Sequence, residues 1–308
     1  MPGVLATAHA LSRVRLALAA ARAAQGAWRG VDRDSLSASW SVALGPVIAA
    51  VAGAQLAAAQ GTEPWLLRLL GRDPGQAESD RLDPFSLAGI TGDGTPLAHA
   101  LQVPIRTTLR LVGQGMPIAH AMARGQALLN LMVRTAVADA GRAADQVAMV
   151  ARPAVTSYIR VVEAGACSRC IVLAGREYGT SSGFARHPRC HCGMEPVTAE
   201  HKPEAQDPKK VYDSMSEKQR KAAFGEAAVK AIDEGADIGM VVNARRGMTT
   251  AVAFGRTVQA TTESTTKRGI ARKATRSKGP RLMPEEIFRQ TDDREHQVRL
   301  LRRYGYLL

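Results

Sequence analysis

Aromatic side chains are scarce, at 4% of the 308 residues. That excludes a stacking platform for single-stranded nucleic acid, which needs a ring for each successive base. Acidic residues are also few, 28 against 41 Lys and Arg, which leaves a formal charge of +13. Such a balance implies an acidic partner: nucleic acid, an anionic membrane or an acidic protein surface. Met1–Gln25 has no basic segment leading into an apolar one, so no secretory leader is expected. Charge is missing altogether from Val42–Gln60. Gly45-Pro46, Gly53, Gln55 and many alanines make that stretch a poor lipid span, so a helix packed in protein is expected, and no membrane. Also absent are an H-E-x-x-H helix and an H-x-E partner for a P-C-x-x-C element.

Cysteine is rare too, and its four copies all fall between Cys167 and Cys192. They read C-S-R-C, a span of 19 residues, then C-H-C, with His187 opening H-P-R-C-H-C. Thiolates two residues apart can share one face of a metal, and a second cluster folded back on them completes a tetrahedron suited to Zn²⁺. Two disulfides or four separate buried thiols are the competing readings; the clustering into knuckles favours the metal. The ligands are four of Cys167, Cys170, His187, Cys190 and Cys192. The set is either all-cysteine or has His187 replacing Cys190 or Cys192, and His191 is expected to point away. Four such ligands close the coordination sphere, so the zinc is expected to be structural rather than catalytic. Glu163 and Glu195 flank the site and are expected to be solvated rather than to act as a base.

Around this stretch the alanine- and arginine-rich composition favours helices. Helices are expected over Val4–Ala24 and from Asp34-Ser35 to Gln60, the second kinked or split by Pro46. Gly61–Asp83 reads as a surface excursion. From Ile118 to Val150, small and apolar positions recur in steps of three and four (118, 122, 125, 129, 132, 136, 140, 143, 147, 150). That pattern is a long helix, first of all a bundle-core helix and secondarily a docking helix, with Pro117 at its start. Gly125 and Gly141 either weaken it or permit close packing. Ile171–Ala174 reads as a short strand. Ser216 and Gln219 form a capping box ahead of a helical face at Phe224, Ala227, Ala228, Ala231 and Ile232. Arg256, Lys267, Arg268, Arg272, Lys273, Arg276, Lys278 and Arg281 stand against one acid, Glu263, in a segment rich in Thr, Ser and Gly. It is expected to be flexible, either as phosphate contacts or as a solvated linker. Pro284 opens a last helix that is expected to run to Tyr304-Gly305.

The chain is therefore expected to be mainly α with a small zinc-stabilised α+β module. The expected parts are a helical domain over 1–160, a zinc-knuckle module over 161–250, and a basic flexible segment with a C-terminal helix over 251–308.

The elements C-S-R-C-I-V-L-A-G and F-A-R-H-P-R-C-H-C resemble the phage Mu protein F-like minor head proteins. Those proteins carry C-x-x-C followed by H-P-x-C-x-C. The blocks from Asp207-Pro208 to Val242-Asn243-Ala244-Arg245-Arg246-Gly247, with Arg302-Arg303-Tyr304-Gly305-Tyr306, look like the version found in actinobacterial phages and prophages. The likeness covers roughly residues 150–250 and the C-terminal motif, and the matching site positions are Cys167, Cys170, His187, Cys190 and Cys192. It implies a non-enzymatic minor capsid protein in few copies, acting in head morphogenesis near the portal. Its implied partners are the portal protein or the major capsid protein, with double-stranded DNA a further candidate. The implied location is the capsid interior, and the host cytoplasm during assembly. Relatives with a fused ADP-ribosyltransferase carry an R…S-T-S…E-x-E arrangement that this chain lacks. The alternatives are a zinc-dependent nuclease, which requires an open metal position and a base, and a capsid maturation protease. Ser181 and Ser182 near His187 make no convincing catalytic set for the latter.

Overall fold

The computed structural model describes residues 3–162, 165–184, 187, 190, 192–263 and 280–307. The described residues are mainly helical with two small antiparallel sheets, and the chain divides into two compact units.

The first unit comprises Met1–Glu163 and Gly175–Gln206. Its helices are α1 (Val4–Arg29), α2 (Leu36–Gln60), α3 (Thr62–Leu70), α4 (Leu97–Ala100), α5 (Val103–Gly113) and the 33-residue α6 (Ile118–Val150). α6 is the axis on which α1, α2, α3 and α5 pack. Because aromatics are few, the three tryptophans are buried deep: Trp28 and Trp40 meet edge to face at 5.0 Å. Each donates its indole N–H to a backbone carbonyl, Trp28 to Met122 and Trp40 to Leu101, so neither polar tip is lost to the core. Alanines fill the rest of the seam, which lets the helices approach closely. A Cβ at Gly125 would overlap Thr108 and the Trp28 ring, and one at Gly141 would overlap Arg13. Close packing is thus the reason for both glycines.

The expected seam on α6 holds through Leu129, Ala136 and Ala140 and then slides. Val147 and Val150 are 47% and 55% exposed, while Ala144, Asp145, Ala148 and Met149 are buried instead. A regular 3-4 spacing drifts about 20° per heptad around a straight 3.6-residue helix, so a long helix packed without supercoiling changes its buried face. α6 is a bundle-core helix. α2 runs unbroken through Pro46. Pro46 is on the exposed face beside Val42, where the carbonyl it leaves unpaired meets water. Trp65 and Leu66, placed by sequence in a surface excursion, are core residues of α3. By length and composition, Val4–Arg29 and Leu36–Leu70 are apolar enough to cross a membrane. Here each lays its buried stripe against α6.

A buried polar knot ties α1, α3 and α6. Asp145 accepts from His9 Nε2 and Thr62 Oγ1, both at 2.9 Å, and pairs with Arg13 Nη2 at 2.6 Å. His9 stacks on Trp65 at 4.2 Å. Burial alone pushes the Asp145 carboxyl up, but Arg13 and then His9 outweigh it and hold it below the ordinary carboxylate value. After α6, β1 (Ser157–Val161) pairs antiparallel with β2 (Glu177–Gly179) and β3 (Gly193–Val197), in the order β2-β1-β3.

The second unit comprises Ala164–Ala174 and Asp207–Leu308. It holds α7 (Ser168–Ile171), α8 (Pro208–Asp213), α9 (Glu217–Phe224), α10 (Glu226–Asp233) and α11 (Ile238–Ala244). The hairpin β4 (Met248–Ala253) and β5 (Arg256–Thr261) follows, then β6 (Arg281–Leu282), α12 (Pro284–Gln290) and α13 (Arg294–Arg303). The capping box at Ser216 and Gln219 forms as read from sequence. The apolar face behind it belongs to two helices, because Gly225 takes φ +83° between α9 and α10. The last helix is likewise two, restarted by Asp293, which accepts from the Glu295 and His296 amides. The basic segment expected to be flexible is ordered at both ends. Met248–Thr261 is a hairpin, and Arg281 is in β6 with its guanidinium donating to the carbonyls of Tyr304, Glu263 and Gly305.

Candidate metal centre

Residues 167–174 form a wound turn, not the expected strand. Cys167 caps α7, and its carbonyl accepts from Cys170 and Ile171. Val172, Leu173 and Ala174 continue the winding, their amides donating to the carbonyls of Ser168, Cys170 and Ile171. The C-S-R-C knuckle closes hydrogen bonds three and four residues apart, and this local closure overrides the β preference of Ile171-Val172. In the second cluster the Cys190 amide donates to the His187 carbonyl at 3.0 Å.

The sequence-predicted ligands fall into two overlapping groups. The sulfurs of Cys170, Cys190 and Cys192 lie within 4.8 Å of one another, as do the ligand atoms of Cys167, Cys170 and His187. Soft thiolates and a borderline imidazole are the donors that tetrahedral zinc takes, so the residue types present fit such an ion. All four cysteines carry thiols rather than disulfides. Cys170, Cys190 and Cys192 are each 2% exposed, which keeps bulk water from the inner trio. Together the five residues form a cluster that could hold a metal ion.

Two arginines support the second cluster. Arg160, in the middle of β1, donates from Nη2 to Cys192 Sγ at 3.5 Å and to Cys190 Sγ at 3.7 Å. Its guanidinium lies over the Phe184 ring at 4.3 Å. Arg142 on α6 pairs with Asp139 and donates to the Cys190 carbonyl at 2.8 Å. Sequence reading missed both residues. The one available cue was an arginine interrupting the apolar strand S-Y-I-R-V-V, since a cation there must find a partner inside.

Glu195 is not solvated. It is 1% exposed, accepts from the Gly3 amide at 3.3 Å and is 3.4 Å from His201 Nε2. It is paired across the sheet with Ile159, neighbour of Arg160, so it projects from the face opposite the one Arg160 presents to the sulfurs. Glu163 and His191 lie outside the described residues. Of the basic set, Arg256 is on β5, 2.6 Å from the buried Glu286, and Arg281 is spent on internal carbonyls. Lys267, Arg268, Arg272, Lys273, Arg276 and Lys278 lie outside the described residues.

A family model described as VG15 protein matches residues 98–218, rather more than a third of the chain, from α4 to the start of α9. The match takes in both cysteine clusters and the sheet that carries Arg160. No curated protein and no solved structure matches. The VG15 match is to a viral protein family, and it supports a phage or viral protein associated with the virion.

Proposed function

We propose that the chain is a phage minor head protein that acts in head morphogenesis near the portal, with a structural Zn²⁺ in its cysteine cluster. The observation that carries this reading is the chemistry around the cluster. Three thiols are withdrawn from water, two arginines hydrogen-bond to the second cluster, and the flanking Glu195 is engaged on the other face of its sheet. A hydrolytic zinc needs an open ligand position and a base, whereas this donor set suits a closed and inert ion. When bound, the ion supplies a cross-link between short turns that bury little apolar surface of their own. The VG15 match and the H-P-R-C-H-C element support the viral part of the reading. On this reading the partners are the portal or major capsid protein, the location is the capsid interior, and the excess positive charge faces packaged DNA.

Native mass spectrometry of the purified full chain tests the metal. One zinc per chain is expected, lost in Cys170→Ser. Comparing Cys167→Ser with His187→Gln identifies the set: release in Cys167→Ser alone marks an all-cysteine site, release in His187→Gln alone marks His187 completing Cys170, Cys190 and Cys192, and release in both marks His187 replacing Cys190 or Cys192. A chain without stoichiometric zinc, or plasmid cleavage that disappears in Cys170→Ser, sinks the structural reading. Recovery of the protein from purified phage particles tests the assembly role, and its absence from mature and immature particles alike removes that role.

A further inference from the structure

We propose that Arg160 is the positioning residue of the metal centre: its two N–H···S bonds orient Cys190 and Cys192 and determine how firmly the ion is kept. The proposal rests on the metal reading above. An arginine at 1% exposure inside β1 is costly unless its charge is answered nearby. Here one nitrogen reaches two sulfurs, and the flat face of the guanidinium is seated on Phe184. That seat fixes the fork direction, so the sulfurs are held in place before an ion arrives. Arg142 does not duplicate the role, because it is paired with Asp139 and its bond to the knuckle goes to a carbonyl.

Charge counting gives the consequence. A divalent ion with the three thiolates Cys170, Cys190 and Cys192 carries one net negative charge, and the Arg160 guanidinium, within hydrogen-bond reach of Cys190 and Cys192, lowers the cost of that charge. Donors outside the coordination sphere also draw electron density from the sulfurs, making them poorer targets for protons and oxidants.

The test uses the full chain loaded with zinc, comparing wild type with Arg160→Gln and Arg160→Lys. Zinc release to a chromogenic chelator should be roughly 10–100-fold faster in Arg160→Gln, the range typical when an outer-sphere partner is removed. Arg160→Lys keeps the buried charge but has neither the fork nor the stacking face, so it should fold and fall between the two. It decides the matter if the Gln variant fails to fold. In cobalt-loaded protein the thiolate-to-metal charge-transfer band should shift in both variants, which a purely structural arginine would leave unmoved. Wild-type release rates with an unchanged band overturn the assignment and leave the metal reading standing. A wild-type chain that carries no metal overturns both.

Discussion

Asp145 is the fully buried carboxylate on which Arg13, His9 and Thr62 converge. Its folded-state value is held below the unfolded carboxylate value of about 4, so its contribution to stability is complete above that pH. The contribution disappears as the pH falls through the lower, folded-state value. Asp145→Asn leaves Arg13 without its partner and should cost roughly 3–5 kcal/mol at pH 7. Urea melts between pH 7 and pH 3 should show a stability curve for the variant that is flatter than wild type on the acid side. Equal acid slopes would mean that Asp145 is not held low. Tyr158 shows the same effect of burial in an acid that stays neutral. Burial first, and then the neighbouring Tyr178, push its phenol up to about 12, so it remains a donor to the Ser182 carbonyl across the working range.

At the scale of elements, α6 organises the first unit because one face carries groups small enough for other helices to reach its backbone. Gly125→Leu would drive a side chain into Thr108 and the Trp28 ring. Overpacking of this kind costs about 1–3 kcal/mol, read as a lower denaturant midpoint with an unchanged m-value. Gly53→Leu on α2, where nothing lies within 4 Å of the added Cβ, is the control and should not destabilise. In the second unit, Arg281 acts for the chain end as the tryptophan N–H groups act for the bundle. Lodged over the Tyr306 ring, it satisfies the carbonyls left where α13 stops.

For the whole molecule, the excess of 41 basic over 28 acidic residues is the property a charged partner meets first. If the basic stretch contacts DNA backbone, replacing Lys267, Arg268, Arg272, Lys273, Arg276 and Lys278 with Gln should lower affinity for duplexes of any sequence. The slope of log K against log salt should shrink by up to about 5, near 0.9 for each phosphate no longer neutralised. Filter binding at several salt concentrations measures it, and an unchanged slope removes these residues from the interface. Arg281 should not contribute, because its donors are already used inside the fold.

Local and periodic features were legible in the chain itself. The long helices, the Ser216 capping box and the short spacings within each cysteine cluster each depend on neighbours a few residues apart, where spacing and side-chain chemistry act directly. What depended on distant partners was decided only in the folded protein. The α6 seam slid because straight helices were packed on it, and Ile171-Val172 wound up because a knuckle closed around them. Glu195 was drawn inward by Gly3 and His201, and Arg160 met two sulfurs that follow it by 30 and 32 residues. No spacing rule encodes those meetings, since the free energy of a buried charge depends on what surrounds it in space and not on what adjoins it in sequence.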